Sequence, residues 1–282
     1  MLKRAVTAIL LVGFAFVMLY LGTTIHYAFF DALIMLFGFV GTYEIYHTFK
    51  KSGYKNSMSA PILMCLAVYP LWYFLGYRGI LIAFSLSVCL ALAVFTFKAE
   101  MELKDLLATI FSLIYPMALL SLGFALSREF PCGGAFAISF AVFLPVFSDT
   151  FAYLVGSTMG KRKLCPSISP KKTVAGAVGG LFGSVLCAVT FFLLFDLYAV
   201  IPAGYVTFSE SIAVRAVVFV LLGVIGGVLA EIGDLAASRI KRALDIKDFG
   251  NIFPGHGGVL DRLDSIMFTL VLLFTAFTFM YM

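Results

Sequence analysis

Nine runs of apolar residues divide this chain of 282 residues, and each is close to the length of a helix that crosses a bilayer. Such a helix needs about 20 mostly apolar residues, because the hydrocarbon core is about 30 Å thick. The runs occupy residues 5–21, 27–46, 61–76, 79–97, 106–126, 134–156, 174–200, 213–233 and 265–282. We therefore predict an all-α, polytopic integral membrane protein with about nine transmembrane helices.

The composition excludes the main soluble classes of protein. Hydrophobic residues make up 62% of the chain and charged residues 12%, whereas a soluble domain carries about 25% charged residues. The five cysteines form no CxxC pair and have no histidine at zinc spacing, so we interpret them as small apolar residues. The excess of five positive charges is scattered along the chain, which argues against a nucleic-acid partner.

Lysine and arginine are unequally divided between alternate polar stretches. Seventeen lie on one side of the predicted membrane, and only Arg78, Arg128 and Arg215 lie on the other. Because cytoplasmic loops carry the excess of positive charge, the N-terminus and the polar loops 157–173 and 234–264 are predicted to be cytoplasmic. We predict that residues 1–130 form a transmembrane scaffold and residues 131–282 the catalytic region. In the scaffold, Asp31 and Glu44 lie near helix ends and are interpreted as solvated or paired, with a functional role as the alternative.

Two pairs of carboxylates flank the second of these loops. Glu231 and Asp234 lie one helical turn apart, as do Asp261 and Asp264. Carboxylates at a membrane boundary are costly unless they are paired or bind a cation, and hard oxygen ligands suit Mg²⁺. The pattern predicts a metal site for phosphates. Salt bridges within the loop are the alternative.

A glycine-rich turn lies between the two pairs, at Gly255, His256, Gly257 and Gly258. Successive backbone N–H groups in such a turn can bind an anion, and glycine lets a ligand approach closely. His256 is a candidate phosphate donor, with a structural role as the alternative.

Two further polar patches precede this region. Ser148, Asp149 and Thr150 interrupt an apolar run, and an ionisable residue inside a span is a functional candidate unless a neighbouring lysine neutralises it. The segment 156–162 resembles a P-loop, but it has one residue too few between its glycines and lacks the hydroxyl residue after Lys161. What remains is a cytoplasmic loop with five cations, in which Lys172 and Thr173 are the more specific candidates and simple membrane topology is the alternative.

The residues of the last third resemble the C-terminal motif of the phosphatidate cytidylyltransferases, also called CDP-diacylglycerol synthases. The motif residues are Ser238, Lys241, Arg242, Lys247, Asp248, Gly255, His256, Gly257, Gly258, Asp261, Arg262 and Asp264. Ser148, Asp149, Ser169, Pro170, Lys172 and Thr173 also match that family, whereas Ala175 and Ala237 stand where many members carry an acidic or amide side chain.

The resemblance implies transfer of CMP from CTP to phosphatidate, giving CDP-diacylglycerol and pyrophosphate, with Mg²⁺ and a second cation as candidate cofactors. It also implies a homodimer in the bacterial inner membrane, with an active site that faces the cytoplasm. The implied catalytic residues are Asp149, Lys172, Lys241, Arg242, Asp248, His256 and Arg262. The implied substrate-binding residues are Ser148, Lys161, Ser169, Thr173, Ser238, Lys247, Gly257 and Gly258. The implied metal ligands are Asp234, Asp261 and Asp264.

Two other functions fit parts of the pattern. A CTP-dependent polyprenol kinase would transfer the γ-phosphate and release CDP. An ion-coupled transporter would place its acidic residues near the middle of the membrane in two repeated halves. Here the polar residues instead crowd toward the cytoplasmic ends of the last four spans.

Overall fold

The computed structural model describes residues 17, 20–22, 25–130, 133–198, 207–253 and 257–281. The α-helices in these ranges are α1 Ala28–Lys51, α2 Ser59–Leu75, α3 Tyr77–Phe97, α4 Leu103–Leu113, α5 Leu122–Arg128, α6 Gly134–Met159, α7 Val174–Phe191, α8 Ile212–Ala243 and α9 Leu260–Met280. Single π-helical segments follow α4 at Ile114–Ala118 and α7 at Phe192–Leu197. Two short antiparallel strands, β1 Lys163–Cys165 and β2 Ser169–Thr173, form a hairpin before α7.

Seven helical segments among the described residues are long and apolar enough to cross a membrane. They are Ala28–Lys51, Tyr77–Phe97, Leu103–Arg128, Gly134–Met159, Val174–Leu197, Ile212–Ala243 and Leu260–Met280. Helix α2 is shorter, with 17 residues. The predicted all-α, polytopic membrane fold is thus confirmed. Most of the first predicted run, 5–21, lies outside the described residues, so the total of nine spans and the cytoplasmic N-terminus remain predictions.

Helix α8 extends ten residues beyond the apolar run that predicted it. Asp234, Ser238 and Lys241 therefore lie on a helix, and the predicted loop 234–264 is reduced to the segment 244–259. The apolar pattern of the sequence ends where the helix leaves apolar surroundings. The backbone hydrogen bonds of the helix continue beyond that point, so the pattern underestimates the length of the helix. The other predicted cytoplasmic loop, 157–173, contains the β-hairpin.

The chain divides into two compact units. The first consists of residues 1–21, 28–125 and 241–263, so the polar segment after α8 packs with the N-terminal helices. Its core contains the stacked rings of Trp72 and Phe124, whose centroids are 5.2 Å apart, and the fully buried side chains of Met64 and Leu113. That residues 1–130 serve as a scaffold for catalysis in 131–282 remains a prediction.

The second unit consists of residues 22–27, 126–240 and 264–282. Helices α6 and α7 approach closely in it, because Gly179 and Gly183 of α7 face Phe151 and the backbone of α6. A Cβ on Gly183 would lie 2.6 Å from the Phe147 carbonyl oxygen. Close packing of these helices places the end of α6 beside β2 and the start of α7, where Gly156 and Gly160 adjoin Thr173.

Candidate functional site

A cavity of about 370 Å³ opens in the second unit. Its walls come from α6, β2, the start of α7 and the polar end of α8. The lining residues are Asp149, Ala152, Tyr153, Gly156, Ser157, Lys171, Lys172, Thr173, Gly176, Ala177, Glu231 and Asp234. Four predicted site residues, Asp149, Lys172, Thr173 and Asp234, are thus brought together from three separate parts of the sequence.

Lys172 joins two carboxylates in this cavity. Its Nζ lies 2.8 Å from Glu231 Oε1 and 2.6 Å from Asp234 Oδ2, and the three side chains are between 18% and 29% exposed. Burial lowers the pKa of the Lys172 ammonium, but the charges and hydrogen bonds of Asp234 and Glu231 outweigh burial, so the net pKa is raised. Lys172 therefore stays protonated at neutral pH. It keeps both carboxylates directed at one point.

Thr173 connects the hairpin to α7. Its hydroxyl caps the helix by accepting a hydrogen bond from the Gly176 N–H at 3.0 Å. Two glycines leave room for this hydroxyl. A Cβ on Gly156 would lie 3.0 Å from Thr173 Oγ1, and a Cβ on Gly160 would lie 2.6 Å from the same atom. The two glycines of the segment that resembles a P-loop thus accommodate a helix cap. Substrate binding by Thr173 remains a prediction.

The side chains of Ser148 and Asp149 point away from α6 in different directions. Asp149 lines the cavity, whereas Ser148 is buried and faces α7, where a Cβ on Gly180 would lie 3.0 Å from its hydroxyl oxygen. Lys171 and Lys172 line the same cavity as Asp149, in accord with the alternative of a neutralising neighbour. The predicted substrate contact of Ser148 remains untested.

A second cluster, which we call the Asp261 cluster, lies in the first unit and consists of Lys241, Phe249, Gly258 and Asp261. Asp261 Oδ1 lies 2.7 Å from Lys241 Nζ, and Oδ2 accepts the backbone N–H groups of Phe249 and Gly258, both at 2.9 Å. The Asp261 side chain is only 3% exposed. Because this carboxylate accepts one ammonium and two backbone N–H groups, it holds the surrounding backbone in place. The salt bridges of the alternative interpretation are therefore present in both units.

The glycine-rich turn is described only in its second half, since residues 254–256, including His256, lie outside the described residues. Gly257 has a φ of +82°, which favours glycine, and a Cβ there would lie 2.8 Å from Asp261 Oδ2. The N–H group of Gly258 donates to Asp261 and not to an outside anion. Binding of pyrophosphate by this turn remains a prediction, with one of its expected donors engaged within the chain.

Glu44 of α1 is a member of this region that the sequence analysis did not assign to the site. It is 4% exposed, and its two oxygens accept the backbone N–H groups of Val259 at 3.0 Å and Leu260 at 2.8 Å. These groups open helix α9, whose first N–H donors have no partner within the helix. The expected pairing of Glu44 is thus made with backbone. A charged residue inside a predicted span was the signal.

The remaining predicted residues lie outside the cavity lining and the Asp261 cluster. Lys161, Arg242, Lys247, Asp248 and Arg262 are exposed, and Ser169 and Ser238 are partly buried. Asp264 is 7% exposed, and its Oδ1 accepts the N–H of Ser265 at 2.8 Å. None of their predicted roles is tested by these positions.

The cavity residues fit a magnesium ion in their chemistry. Glu231 and Asp234 supply hard oxygen atoms that already converge on one cation, the Lys172 ammonium. Mg²⁺ is commonly held by one or two carboxylates, with water and substrate phosphates as its other ligands. Within the described ranges, no group of three or more His, Cys, Asp and Glu side chains is arranged to hold a metal ion. A magnesium ion here would therefore depend on the phosphates of a substrate.

Comparison with known proteins gives the family. A sequence profile described as the cytidylyltransferase family matches residues 2–280. The chain belongs to the cytidylyltransferase family. This result confirms the resemblance seen in the motif residues.

Individual cytidylyltransferase relatives agree with the profile. The chain is 40% identical over 157 residues to a phosphatidate cytidylyltransferase of Staphylococcus aureus (strain COL), which covers 56% of this chain and 55% of the relative. It is 41% identical over 127 residues to that of Bacillus subtilis (strain 168), covering 45% of this chain and 42% of the relative. The chain spans about half the length of the curated relatives it matches.

Proposed function

We propose that this membrane protein is a phosphatidate cytidylyltransferase, which transfers CMP from CTP to phosphatidate. The observation that supports this function most directly is the cavity in which Lys172 holds Glu231 and Asp234 together, within a chain of the cytidylyltransferase family. The cavity combines a partly buried cation with carboxylates that suit Mg²⁺, as a site for polyphosphates requires. Family membership adds the nucleotide, which cavity chemistry alone does not specify.

The reaction follows from the chemistry of its substrates. A phosphate oxygen of phosphatidate attacks the α-phosphorus of CTP in line. A new P–O bond forms, the bond between the α-phosphorus and the bridging oxygen breaks, and pyrophosphate leaves with the electron pair. A phosphate monoester is already ionised near neutral pH, so the step needs positioning and charge stabilisation more than a strong base.

The residues of the chain supply these two requirements. The protonated Lys172 lies in the cavity wall, where it would stabilise the negative charge of a bound phosphate. Glu231 and Asp234 would hold Mg²⁺ together with substrate phosphates, and Asp149 would support the nucleotide. When bound, the ion would neutralise phosphate oxygens as a Lewis acid. The basic residues Lys161, Lys241, Arg242 and Arg262 are proposed to balance the remaining phosphate charge. The metal-binding roles of Asp261 and of Asp264 are retained as proposals that the family resemblance supports.

The cellular setting completes the proposal. The excess of Lys and Arg on one side of the predicted spans supports a cytoplasmic site in a bacterial inner membrane. A homodimer is proposed on the family resemblance. Cross-linking of the purified protein in lipid nanodiscs, followed by mass measurement, tests this assembly.

The decisive experiment uses purified protein with CTP labelled separately on its α- and γ-phosphates, phosphatidate and Mg²⁺. The α-label should appear in CDP-diacylglycerol and the γ-label in pyrophosphate, and both transfers should stop when EDTA removes the metal. Release of CDP with γ-label in the lipid would instead indicate a lipid kinase. Lys163→Met changes an exposed lysine of the same hairpin that lies outside the cavity lining. It is the matched control for Lys172→Met, which should lose at least about 10²-fold in turnover.

A further inference from the structure

Two polar residues of α1 and one that directly follows it contact the segment 244–260. Glu44 and Thr48 lie one helical turn apart on α1. Ser52 follows the helix, and its N–H donates to the Thr48 carbonyl oxygen at 3.1 Å. The Ser52 hydroxyl donates to the Leu244 carbonyl oxygen at 3.1 Å. The Thr48 hydroxyl lies 3.4 Å from the Phe249 carbonyl oxygen. Together with the Glu44 contacts, these bonds hold both ends of the segment against one helix.

The Glu44 carboxylate occupies a space that two glycines leave open. A Cβ on Gly250 or on Gly258 would lie 2.6 Å from Glu44 Cδ, and in each case all of the three nearest atoms belong to Glu44. Neither glycine has a positive φ. Their lack of a side chain is therefore explained by Glu44 and not by backbone conformation.

The same backbone also determines where Asp261 lies. Gly258, whose N–H donates to Asp261, directly precedes the two residues whose N–H groups donate to Glu44. Phe249, the other backbone donor to Asp261, directly precedes Gly250, which contacts Glu44. A shift of the Glu44 carboxylate would thus move both backbone donors of Asp261.

We propose that Glu44 is a positioning residue for the Asp261 cluster, acting through the backbone of residues 249–250 and 258–260. Its effect on turnover rests on the proposed cytidylyltransferase function, but its effect on the segment does not. Glu44 itself contacts backbone, and so it sets the orientation of Asp261 and Lys241 without touching a substrate.

The first test measures hydrogen exchange and turnover of Glu44→Gln. Glutamine keeps the size of the side chain, but its NH₂ group is a donor and cannot accept a hydrogen bond. One of the N–H groups of Val259 and Leu260 therefore loses its acceptor. We expect faster exchange confined to residues 244–263. We also expect kcat to fall by about 10²-fold, a typical cost of misplacing a site by about 1 Å, with KM for CTP changed much less. Asp31→Asn, which alters another buried carboxylate about 20 Å away along α1, should leave exchange in this segment unchanged.

The second test measures coupling by thermal unfolding in detergent. Gly250→Ala should lower the melting temperature in the wild-type background, because its methyl group collides with Glu44. The same change should have little further effect in a Glu44→Ala background, where the collision is absent. The proposal would be overturned if Gly250→Ala lowered the melting temperature equally in both backgrounds. It would also be overturned if Glu44→Gln lost protection from exchange uniformly along the chain while kcat per folded molecule stayed normal. If the wild type makes no CDP-diacylglycerol, the proposed function fails, while the exchange and coupling results still decide the role of Glu44.

Discussion

Lys241 and the buried Asp261 form an ion pair, with 2.7 Å between Nζ and Oδ1, and their side chains are 13% and 3% exposed. They lie 20 residues apart, one near the end of α8 and the other at the start of α9. The pair therefore joins the end of α8 to the start of α9, on either side of the segment 244–259. Asp261 also accepts the backbone N–H groups of Phe249 and Gly258. The position of this backbone and the position of the Lys241 and Asp261 charges therefore depend on each other.

Breaking this pair should cost stability in a way that a second change partly restores. Lys241→Met leaves a buried carboxylate without its cation, which typically costs about 3–5 kcal/mol. The double variant Lys241→Met with Asp261→Asn removes both charges and should recover much of that loss. Unfolding in detergent measures the stability, and turnover should stay abolished in the double variant. A double variant no more stable than Lys241→Met would show that the ion pair does not determine the stability of this loop.

The membrane fold could be predicted from the sequence because its cause is local. A run of about 20 apolar residues must become a helix in a bilayer, where every backbone polar group needs a partner within the segment. The end of α8 could not be predicted in this way. Residues 234–243 are mostly polar or charged on the exposed face, so apolar periodicity does not mark them as helical although the helix continues.

The site was predictable in its residue types but not in its pairings. Asp149, Lys172 and Asp234 were expected to act together, and the structure places them around one cavity. Which lysine meets which carboxylate depends on contacts between residues as far apart as 59 positions, for Lys172 and Glu231. Glu44 shows the same limit, because its partners are backbone N–H groups 215 and 216 residues away, which no side-chain pattern reveals.

The raised pKa of Lys172 predicts how its contribution to stability depends on pH. A lysine whose pKa is raised in the folded state stabilises fully below its ordinary value of 10.5, and this contribution is lost as the pH rises through the folded pKa. The difference in unfolding free energy between wild type and Lys172→Met should therefore be constant between about pH 7 and 9 and shrink above about 10.5. Lys171→Met provides the control. A difference that already shrinks below pH 9 would mean that the pKa is lowered.

Thr173 should contribute to stability as a helix cap. Thr173→Ala removes the acceptor for the Gly176 N–H and should cost about 1 kcal/mol, whereas Thr173→Ser should retain most of that stability. Equilibrium unfolding in detergent measures both variants. If Thr173 also binds substrate, as predicted, Thr173→Ala should in addition raise KM for CTP or phosphatidate. An unchanged KM together with lowered stability would show that Thr173 caps the helix and does not bind substrate.

Cysteine labelling should locate the two faces of the membrane. In a background without the native cysteines, a cysteine at Ser167 of the hairpin should react with an impermeant thiol reagent only from the cytoplasmic side. A cysteine at Glu210, just before α8, should react only from outside, because α7 and its π-helical extension are long enough to cross the bilayer. Labelling of intact cells and of inverted vesicles distinguishes the two faces. Reaction of both positions from one face would contradict a span at Val174–Leu197.

Gly257→Val tests whether the glycine-rich turn binds the nucleotide. A β-branched residue at a φ of +82° is strained by about 1–3 kcal/mol, and its Cβ would lie 2.8 Å from Asp261 Oδ2. The turn should therefore change shape, and CTP affinity measured by calorimetry should fall more than phosphatidate affinity, because the turn is predicted to hold the pyrophosphate end of CTP. Gly53→Val is the matched control, since Gly53 has a similar φ of +87° but no atom within 4 Å of a Cβ. Wild-type affinity for CTP in a folded Gly257→Val protein would exclude the turn from nucleotide binding and leave it the structural role of surrounding Asp261.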